Sequence, residues 1–408
     1  MPRTHTTDLC PARVLLPLGL GTALSLMGDA TLYTVLPTHA TDAGIALSSV
    51  GIMLGANRAV RILANGAAGM AYDRWPRRWL FIPALFIGAL STVVYATTHG
   101  FWPLLVGRLL WGLAWSGIWV GGATMILDVT TPQNRGRWTG LYQTWFFMGA
   151  ALGSFLGGLL TDTVGYTSTM WIGAALTALG GVVAWLLLPE TRDARAPRET
   201  ADPQENAPRL RANRGLWMVA SMHGMNRFIM AGILTATLGL LVKDRLALLS
   251  TSIGVATFTG ALSAGRTMLS MGAAPLAGAT SDRVSSRWTV ALLGIGIGIG
   301  SLILVAWERP EAILVGIAFS AVAAGSVQSL VTALIGDLVR RDQQGGAIGL
   351  VHTAGDIGSA AGPPIAYALL PWIGLSSVYL IGAGLFAVEL ALVWMEHARK
   401  RRMAVVGA

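Results

Sequence analysis

Apolar and charged residues alternate along this chain in long blocks. Runs of about 20 mostly apolar residues recur from one end to the other, and this is the length that an α-helix needs to cross a bilayer. Short charged segments separate the runs. The pattern predicts twelve membrane-spanning helices, at Val14–Pro37, Ser48–Tyr72, Trp79–Thr98, Phe101–Val129, Trp138–Thr161, Thr167–Leu188, Leu216–Val242, Ser252–Ala279, Trp288–Trp307, Ala312–Val339, Ala347–Leu370 and Leu375–Trp394.

The composition favours a membrane protein over a soluble one. Hydrophobic residues make up 53% of the 408 residues and charged residues only 12%, against about a quarter in soluble domains. The 51 glycines suit helices that pack closely in lipid. We therefore expect an all-α, multi-pass protein of the cell (cytoplasmic) membrane.

The net charge of +9 is explained by membrane topology. Of the 29 basic residues, 21 lie on one side of the predicted helices, and three, namely Lys243, Arg245 and Arg309, lie on the other. Loops rich in Lys and Arg stay in the cytoplasm. Both termini, including a basic tail at 397–408, are therefore predicted to be cytoplasmic, and no nucleic acid is expected as a partner.

A constant offset of 209 residues relates the two parts of the chain. It carries charged residues and glycines onto residues of the same kind: Gly69, Asp73, Arg74 and Arg78 onto Gly278, Asp282, Arg283 and Arg287, Asp128 onto Asp337, Gly149 onto Gly358, and Gly153 onto Gly362. Such recurrence indicates duplication. The chain is predicted to consist of an N-terminal six-helix half (1–188), a cytoplasmic linker rich in Pro, Arg and acids (189–214) and a C-terminal six-helix half (215–396).

The loop after the second predicted helix reads GMAYDRWPRR, from Gly69 to Arg78, and GATSDRVSSR is its weaker copy from Gly278. These segments resemble the loop signature of the major facilitator superfamily of secondary transporters, although Pro76 replaces the usual glycine. The resemblance covers the whole chain and implies the twelve-helix fold of that family. It also implies tight helix packing at the signature glycine and a charge cluster of Asp73, Arg77 and Asp128 at the inner surface. The loop residues are predicted to latch one conformation, and this predicted latch comprises Gly69, Asp73, Arg74, Arg77, Asp128, Asp282 and Arg283.

Further segments are similar to motifs of the same family. Arg108 and Gly112 match an R-x-x-x-G pattern that is associated with proton-coupled members, and Leu188 to Thr191 resembles the common ending of the sixth helix. An antiporter glycine motif is matched in part by Gly149, Gly153 and Gly157 and in part by Gly358, Gly362 and Pro363. These glycines have two interpretations, close helix packing and a role in coupling.

Charged residues inside the predicted helices suggest where transport chemistry occurs, because a charge at the bilayer centre is costly. Asp29 and Arg58 lie at similar depth and are predicted to be able to pair. Arg58, Arg61 and Asn65 follow one another at i, i+3 and i+7, so they form a polar stripe on one helix face.

The second half carries its own interior charges. Arg227, Arg266 and His352 are predicted to line a substrate cavity together with the polar stripe. Both His223 and His352 also have the interpretation of hydrogen-bonded packing residues. Asp29 and Asp356 are candidate proton carriers, with Arg108 added by the resemblance. The alternative is static ion pairs, Asp29 with Arg58 and Asp356 with Arg227 or Arg266.

The predicted function is secondary active transport, with proton-coupled export of a small organic compound by alternating access. The excess of buried arginines favours an anionic substrate, unless backbone carbonyls or water satisfy those arginines. Uptake or exchange of an organic anion, lipid flipping, a non-transporting sensor and a channel remain alternatives. Cys10 is the only cysteine, and no Walker loop or ligand cluster is found, so no metal, cofactor or enzymatic activity is expected. The protein is expected to be a monomer in the lipid bilayer.

Overall fold

A computed structural model describes residues 10–130, 135–192, 213–247, 253–284, 286–339 and 344–406. Across these ranges the chain forms long helices and contains no strand. In chain order the helices are α1 (Pro11–Val35), α2 (Leu47–Arg74), α3 (Arg77–Thr97), α4 (Phe101–Asp128), α5 (Arg135–Val164), α6 (Tyr166–Leu187), α7 (Arg214–Arg245), α8 (Val255–Arg283), α9 (Arg287–Ala306), α10 (Pro310–Leu338) and α11 (Gln344–Val406).

Nine helices of the described chain are long and apolar enough to cross a membrane, so the prediction of an all-helical membrane protein is confirmed. The helices α2 and α8 fall outside this group; α2 carries Arg58 and Arg61, and α8 carries Arg266. Gly374 interrupts α11 with a φ of 74°, a left-handed conformation that glycine adopts without steric cost. The count of twelve crossings stays a prediction.

The described residues divide into two compact units. Residues up to 192, together with 253–264, form the first unit, and residues 213–247 and those from 265 onward form the second. The beginning of α8 belongs to the first unit because Asp162 at the end of α5 binds its first turn. One carboxylate oxygen, Oδ2, accepts hydrogen bonds from the backbone N–H and the hydroxyl of Thr257, at 2.6 and 2.7 Å. The predicted linker lies largely at 193–212, outside the described residues.

The predicted glycine motifs lie where helices approach one another most closely. In the first unit, a Cβ on Gly149 would come within 2.5 Å of the Ala23 backbone, and one on Gly153 within 2.7 Å of Met27 Cα, so α5 packs backbone to backbone on α1. In the second unit, Gly358 and Gly362 bring α11 equally close to α7. The 209-residue offset therefore relates helix packing as well as sequence.

A ladder of aromatic rings runs along α4 in the core of the first unit. Trp111, Trp115 and Trp119 stack in succession, with centroids 6.0 and 5.8 Å apart. The stack continues onto α5, where the ring of Tyr142 lies 5.8 Å from that of Trp119. Aromatic residues spaced four apart share one helix face, so the sequence of α4 dictates this arrangement.

Candidate functional site

The interior of the first unit contains a buried salt bridge. Arg108 Nη1 on α4 donates to Asp29 Oδ1 on α1 at 2.6 Å, and Arg108 Nε donates to the Met53 carbonyl on α2 at 2.8 Å. The Arg108 side chain is 1% exposed, whereas that of Asp29 is 15% exposed. The carboxylate is therefore the accessible partner of the pair, and the guanidinium is enclosed.

The sequence predicted that Asp29 could pair with Arg58. In the structure the salt bridge of Asp29 is made with Arg108 instead. The Arg58 guanidinium instead lies over the ring of Tyr33, 5.0 Å from its centroid, and the guanidinium carbon of Arg108 lies 5.1 Å from the same centroid. The Tyr33 hydroxyl donates to the Leu54 carbonyl at 2.5 Å and lies 3.1 Å from Asn57 Oδ1. Two cations thus share one aromatic ring, and cation–π attraction helps to hold both.

Three details bear on how this centre could respond to a proton. Arg108 Nη2 is buried and has no hydrogen-bond partner among the described residues. Gly112 allows α4 to approach α2, because a Cβ there would lie 2.5 Å from the Asn57 carbonyl. Arg61 and Asn65 follow Arg58 along α2 and are half-buried. The helices α1, α2 and α4 therefore meet at one enclosed charge pair with a spare N–H donor.

The predicted inner-surface cluster is brought together in part. Arg77 Nε donates to Asp128 Oδ2 at 3.0 Å, which joins α3 to α4 within the first unit. Thr191, just past α6, donates its hydroxyl to the same oxygen at 3.1 Å. The described contacts of Arg77 therefore fasten helices of one unit. The side chains of Asp73 and Asp282 lie outside the described residues, Arg74 and Arg283 are exposed, and a Cβ on Gly69 would meet open space.

Glu190 has a structural role that the sequence did not reveal. Its carboxylate accepts hydrogen bonds from the backbone N–H groups of Arg77 and Arg78, at 2.9 and 3.0 Å, and so caps the start of α3. A carboxylate at a helix N-terminus satisfies otherwise unpaired N–H groups and interacts favourably with the helix dipole. The side chain that caps α3 comes from a segment more than a hundred residues away in sequence, so no local pattern could have identified it.

The second unit repeats the ion pair with a different residue. Arg287 Nε lies 2.9 Å from Asp337 Oδ2, joining α9 to α10. The 209-residue offset relates Arg287 to Arg78 rather than to Arg77, whereas Asp337 corresponds to Asp128. The two units therefore conserve the acid and shift the arginine by one position.

Arg266 is the best-defined interior cation of the second unit. Its Nε donates to Ser320 Oγ on α10 at 3.0 Å, and Nη1 donates to Thr235 Oγ1 on α7 at 2.9 Å. Its Nη2 donates to the Met230 carbonyl at 3.2 Å. All three acceptors are neutral, so the predicted static pair of Arg266 with Asp356 is not formed.

The other candidates of the second unit lie at the contact between α7 and α11. The rings of His223 and His352 meet edge to face, with centroids 5.4 Å apart. Gly355 makes room for this contact, since a Cβ there would fall 2.4 Å from His223 Nε2 and 3.2 Å from Arg227 Cγ. Asp356, the next residue, is 7% exposed. The structure therefore brings Arg227 and His352 to one helix contact with His223 packed inside it, and Asp356 is buried nearby in sequence.

Glu389 on α11 is a second interior acid of this unit. It is 2% exposed, and its Oε2 accepts a hydrogen bond from Ser221 Oγ at 3.0 Å. Its Oε1 is buried without a hydrogen-bond partner among the described residues. Over the same part of the chain no group of three or more His, Cys, Asp or Glu side chains is arranged to hold a metal ion.

Comparison with known proteins gives concordant results. The family model described as Major Facilitator Superfamily matches residues 18–272 and 216–406. The class E tetracycline resistance protein of Escherichia coli is 24% identical over 394 residues, which cover 92% of this chain and 93% of that protein.

Solved structures show the same fold. The human organic anion transporter MFSD10 (TETRAN) superposes with a TM-score of 0.69 at 19% identity, over 95% of this chain and all of the other. A bacterial homologue of the human lysosomal transporter Spinster, in an inward-facing and occupied conformation, gives a TM-score of 0.77 at 16% identity, over 95% and 97% of the two chains.

Proposed function

Because this chain belongs to the Major Facilitator Superfamily, we propose that it is a proton-coupled exporter of a small organic anion. The family assignment makes the protein a multi-pass membrane transporter of small molecules and not an enzyme. The coupling ion, the direction of transport and the class of substrate are the proposed parts. The coupling ion and the substrate class rest on Arg108 and Arg266, each taken with the groups that it contacts, and the direction rests on a relative of this chain.

The observation that carries proton coupling is the salt bridge between Arg108 and Asp29. The arginine is enclosed and stays charged, so the only group of the pair that can change its charge is the carboxylate, which is also the more accessible. Protonation of Asp29 would leave Arg108 without its counterion in a medium of low dielectric constant. Because such a charge is costly, the helices that carry the pair would have to rearrange, and the proton would thereby be linked to conformation.

Export is supported by a relative that matches this chain over most of its length. A tetracycline resistance protein matches along 92% of this chain, and a membrane transporter confers resistance by moving a compound out of the cell. The charge distribution supports cytoplasmic termini, since 21 of the 29 basic residues lie on that side of the predicted topology. The proposed site therefore faces a substrate that arrives from the cytoplasm.

The proposed substrate class follows from Arg266. Its guanidinium carries a full positive charge and is bonded only to neutral oxygens of the described chain. A planar guanidinium binds carboxylate and phosphate groups through paired hydrogen bonds. An anionic group on the substrate would supply the counterion that this arginine lacks.

The test compares two substitutions in reconstituted vesicles. In Asp29→Asn, proton-driven accumulation of substrate should be abolished while exchange of labelled for unlabelled substrate continues, because the coupling carboxyl is lost and the pathway is not. Asp42→Asn, in an exposed loop, is the matched control and should accumulate substrate as the wild type does. If Asp29→Asn still accumulates substrate against its gradient, the salt bridge has a structural role and does not couple transport to protons.

A further inference from the structure

The middle of α7 departs from ordinary helical geometry. Residues Arg227–Leu234 form a π-helix between two α-helical parts, Arg214–Asn226 and Thr235–Arg245. The backbone N–H of Thr235 bonds to the carbonyl of Met230, five residues earlier. A π-helix holds one more residue than an α-helix of the same span and is rare, often occurring at functional sites.

Three donors converge on the Met230 carbonyl. They are the backbone N–H of Thr235, the Thr235 hydroxyl at 2.7 Å and Arg266 Nη2 at 3.2 Å. The Thr235 hydroxyl also accepts a hydrogen bond from Arg266 Nη1, at 2.9 Å. The guanidinium of α8 therefore binds the two groups of α7 that close the π-helical turn.

The same guanidinium can still bind a ligand. An arginine has five N–H donors, and three of those of Arg266 are used within the described residues. The side chain is half-buried, so it is not sealed from the surroundings in the way that Arg108 is. Its acceptors are a carbonyl and two hydroxyls, which form weaker hydrogen bonds than a carboxylate or phosphate would.

We propose that Arg266 is the receptor for the substrate's anionic group and that its occupation releases the π-helical turn of α7. This inference rests on the proposed transport of an organic anion. A carboxylate or phosphate that engages the guanidinium fork draws Nη1 and Nη2 away from Thr235 and Met230. The turn loses the donors that stabilise it, and Thr235 N–H moves to the carbonyl four residues earlier, as in an α-helix.

The consequence for α7 is a change of register. Conversion of the π-helical turn to an α-helix moves one part of the helix relative to the other by about one residue, that is by about 100° of rotation and about 1.5 Å of rise. The part that lies before the turn carries His223, which packs against His352 of α11. Ligand binding at Arg266 would thus alter the contact between α7 and α11 inside the second unit.

The first unit offers an internal comparison. The offset of 209 residues relates Arg266 to Asn57, a neutral residue whose Oδ1 lies 3.1 Å from the Tyr33 hydroxyl. The equivalent stretch of α1 is α-helical throughout. The charge and the π-helical turn therefore occur together in one unit and are both absent at the equivalent positions of the other.

The experiment measures amide hydrogen exchange in the segment 227–235 with phenyl phosphate and benzoate as probes. In the wild type, about 10 mM phenyl phosphate should slow exchange there, because the α-helical turn is the better protected form; at that concentration a ligand with a Kd of about 1 mM is mostly bound. Arg266→Gln should weaken binding at least tenfold and show slow exchange without any probe. If neither phenyl phosphate nor benzoate binds the wild type, the proposal that Arg266 binds the anionic group of the substrate is wrong.

Thr235→Val tests whether ligand binding at Arg266 is transmitted to α7 or whether Arg266 only stabilises the structure. It keeps the charge of Arg266. It deletes a competing acceptor of Arg266, so it should bind phenyl phosphate more tightly than the wild type and exchange slowly without it. Ser320→Ala is the matched control, because it removes the acceptor on α10 and leaves α7 untouched; its exchange in 227–235 should equal that of the wild type. Weaker binding of phenyl phosphate by Thr235→Val than by the wild type would contradict the proposed transmission from Arg266 to α7.

A parallel measurement keeps this inference distinct from the proposed function. Proton-driven uptake of phenyl phosphate into inside-out vesicles reports export directly. If phenyl phosphate is transported but amide hydrogen exchange in 227–235 is unchanged, the proposed transmission from Arg266 to α7 is wrong and anion export is still supported. Altered exchange without transport would overturn anion export and leave the coupling between Arg266 and α7 standing.

Discussion

Arg108 in the first unit and Arg266 in the second each place a guanidinium in the interior of a helical unit, about 10 Å and about 16 Å along α4 and α8 from their first residues. Arg108 is enclosed with a carboxylate at 2.6 Å, whereas Arg266 is half-buried among neutral oxygens. A buried charge with a counterion responds to a change in that counterion, and in the proposed function the change is protonation of Asp29. A charge without a counterion can bind an anion, so the proposed function assigns the proton to the first unit and the substrate anion to the second.

The largest effect should come from removing each arginine in turn. Arg108→Met leaves the Asp29 carboxylate without its partner, and breaking a buried pair costs about 3 to 5 kcal/mol. Arg266→Met leaves only neutral acceptors, each worth about 1 kcal/mol, and relieves an uncompensated charge, so its cost should be smaller. Thermal unfolding of the purified variants measures both. Equal losses of stability would contradict the contrast between the two sites.

The two units should respond alike where their packing is alike. Gly153→Ala and Gly362→Ala both force a methyl group against the backbone of a neighbouring helix, at about 1 to 3 kcal/mol each. Gly140→Ala and Gly349→Ala are equivalent controls with open space around them, and each should stabilise its helix by about 0.5 to 1 kcal/mol. The same thermal assay applies. A large difference between Gly153 and Gly362 would show that the repeat does not extend to packing energies.

The contrast between the arginines can also be erased by design. Ser320→Asp places a carboxylate beside Arg266 Nε, where the serine hydroxyl now accepts a hydrogen bond at 3.0 Å. With an internal counterion, Arg266 should bind phenyl phosphate at least tenfold more weakly, about 1.4 kcal/mol. Binding titrations measure this, with Ser320→Asn as the uncharged control. Unchanged affinity in the aspartate variant would mean that anions bind elsewhere.

The smallest effect is expected at the exposed ion pair of Arg245 and Glu308, which contrasts with the buried pair of Arg108 and Asp29. Hydrogen bonds from Ser376 and from Arg245 lower the pKa of Glu308, which lies in the loop between α9 and α10. A lowered pKa in the folded state adds stability above the ordinary glutamate value of about 4.3, and this is lost as the pH falls through the folded pKa. Because the pair is exposed, Arg245→Gln should only slightly flatten the acid side of a melting-temperature profile. An effect as large as that of Arg108→Met would be inconsistent with solvent screening.

The sequence predicted the helices and the internal repeat, because both are written in patterns that the chain carries locally or at a fixed offset. It placed Asp29 inside the membrane but assigned the wrong partner. Depth along a helix follows from residue counting, whereas the direction in which Arg58 or Arg108 points depends on how α1, α2 and α4 pack. Close helix packing was one of the two interpretations of glycines such as Gly149, and the structure places Gly149 at a close contact because it lacks a side chain.

Two features depend on contacts that the sequence patterns did not reveal. The carboxylate of Glu190 caps α3 from the far end of the first unit, and only the folded chain brings the two together. In the π-helical turn of α7, the backbone N–H of Thr235 bonds to the carbonyl of Met230, five residues earlier. Arg266, on another helix, stabilises this arrangement by donating to the same carbonyl. Both depend on tertiary contacts, which periodicity and composition do not encode.

The tryptophan ladder of α4 also gives this protein an optical property. Stacked indoles can couple their electronic transitions, and this coupling gives paired circular-dichroism bands of opposite sign that a single tryptophan does not give. Trp111 lies one helical turn beyond Arg108, so a rearrangement of the salt bridge would disturb the first member of the stack. Circular dichroism of the unlabelled protein is therefore expected to report the proposed protonation of Asp29, without a dye or an introduced cysteine.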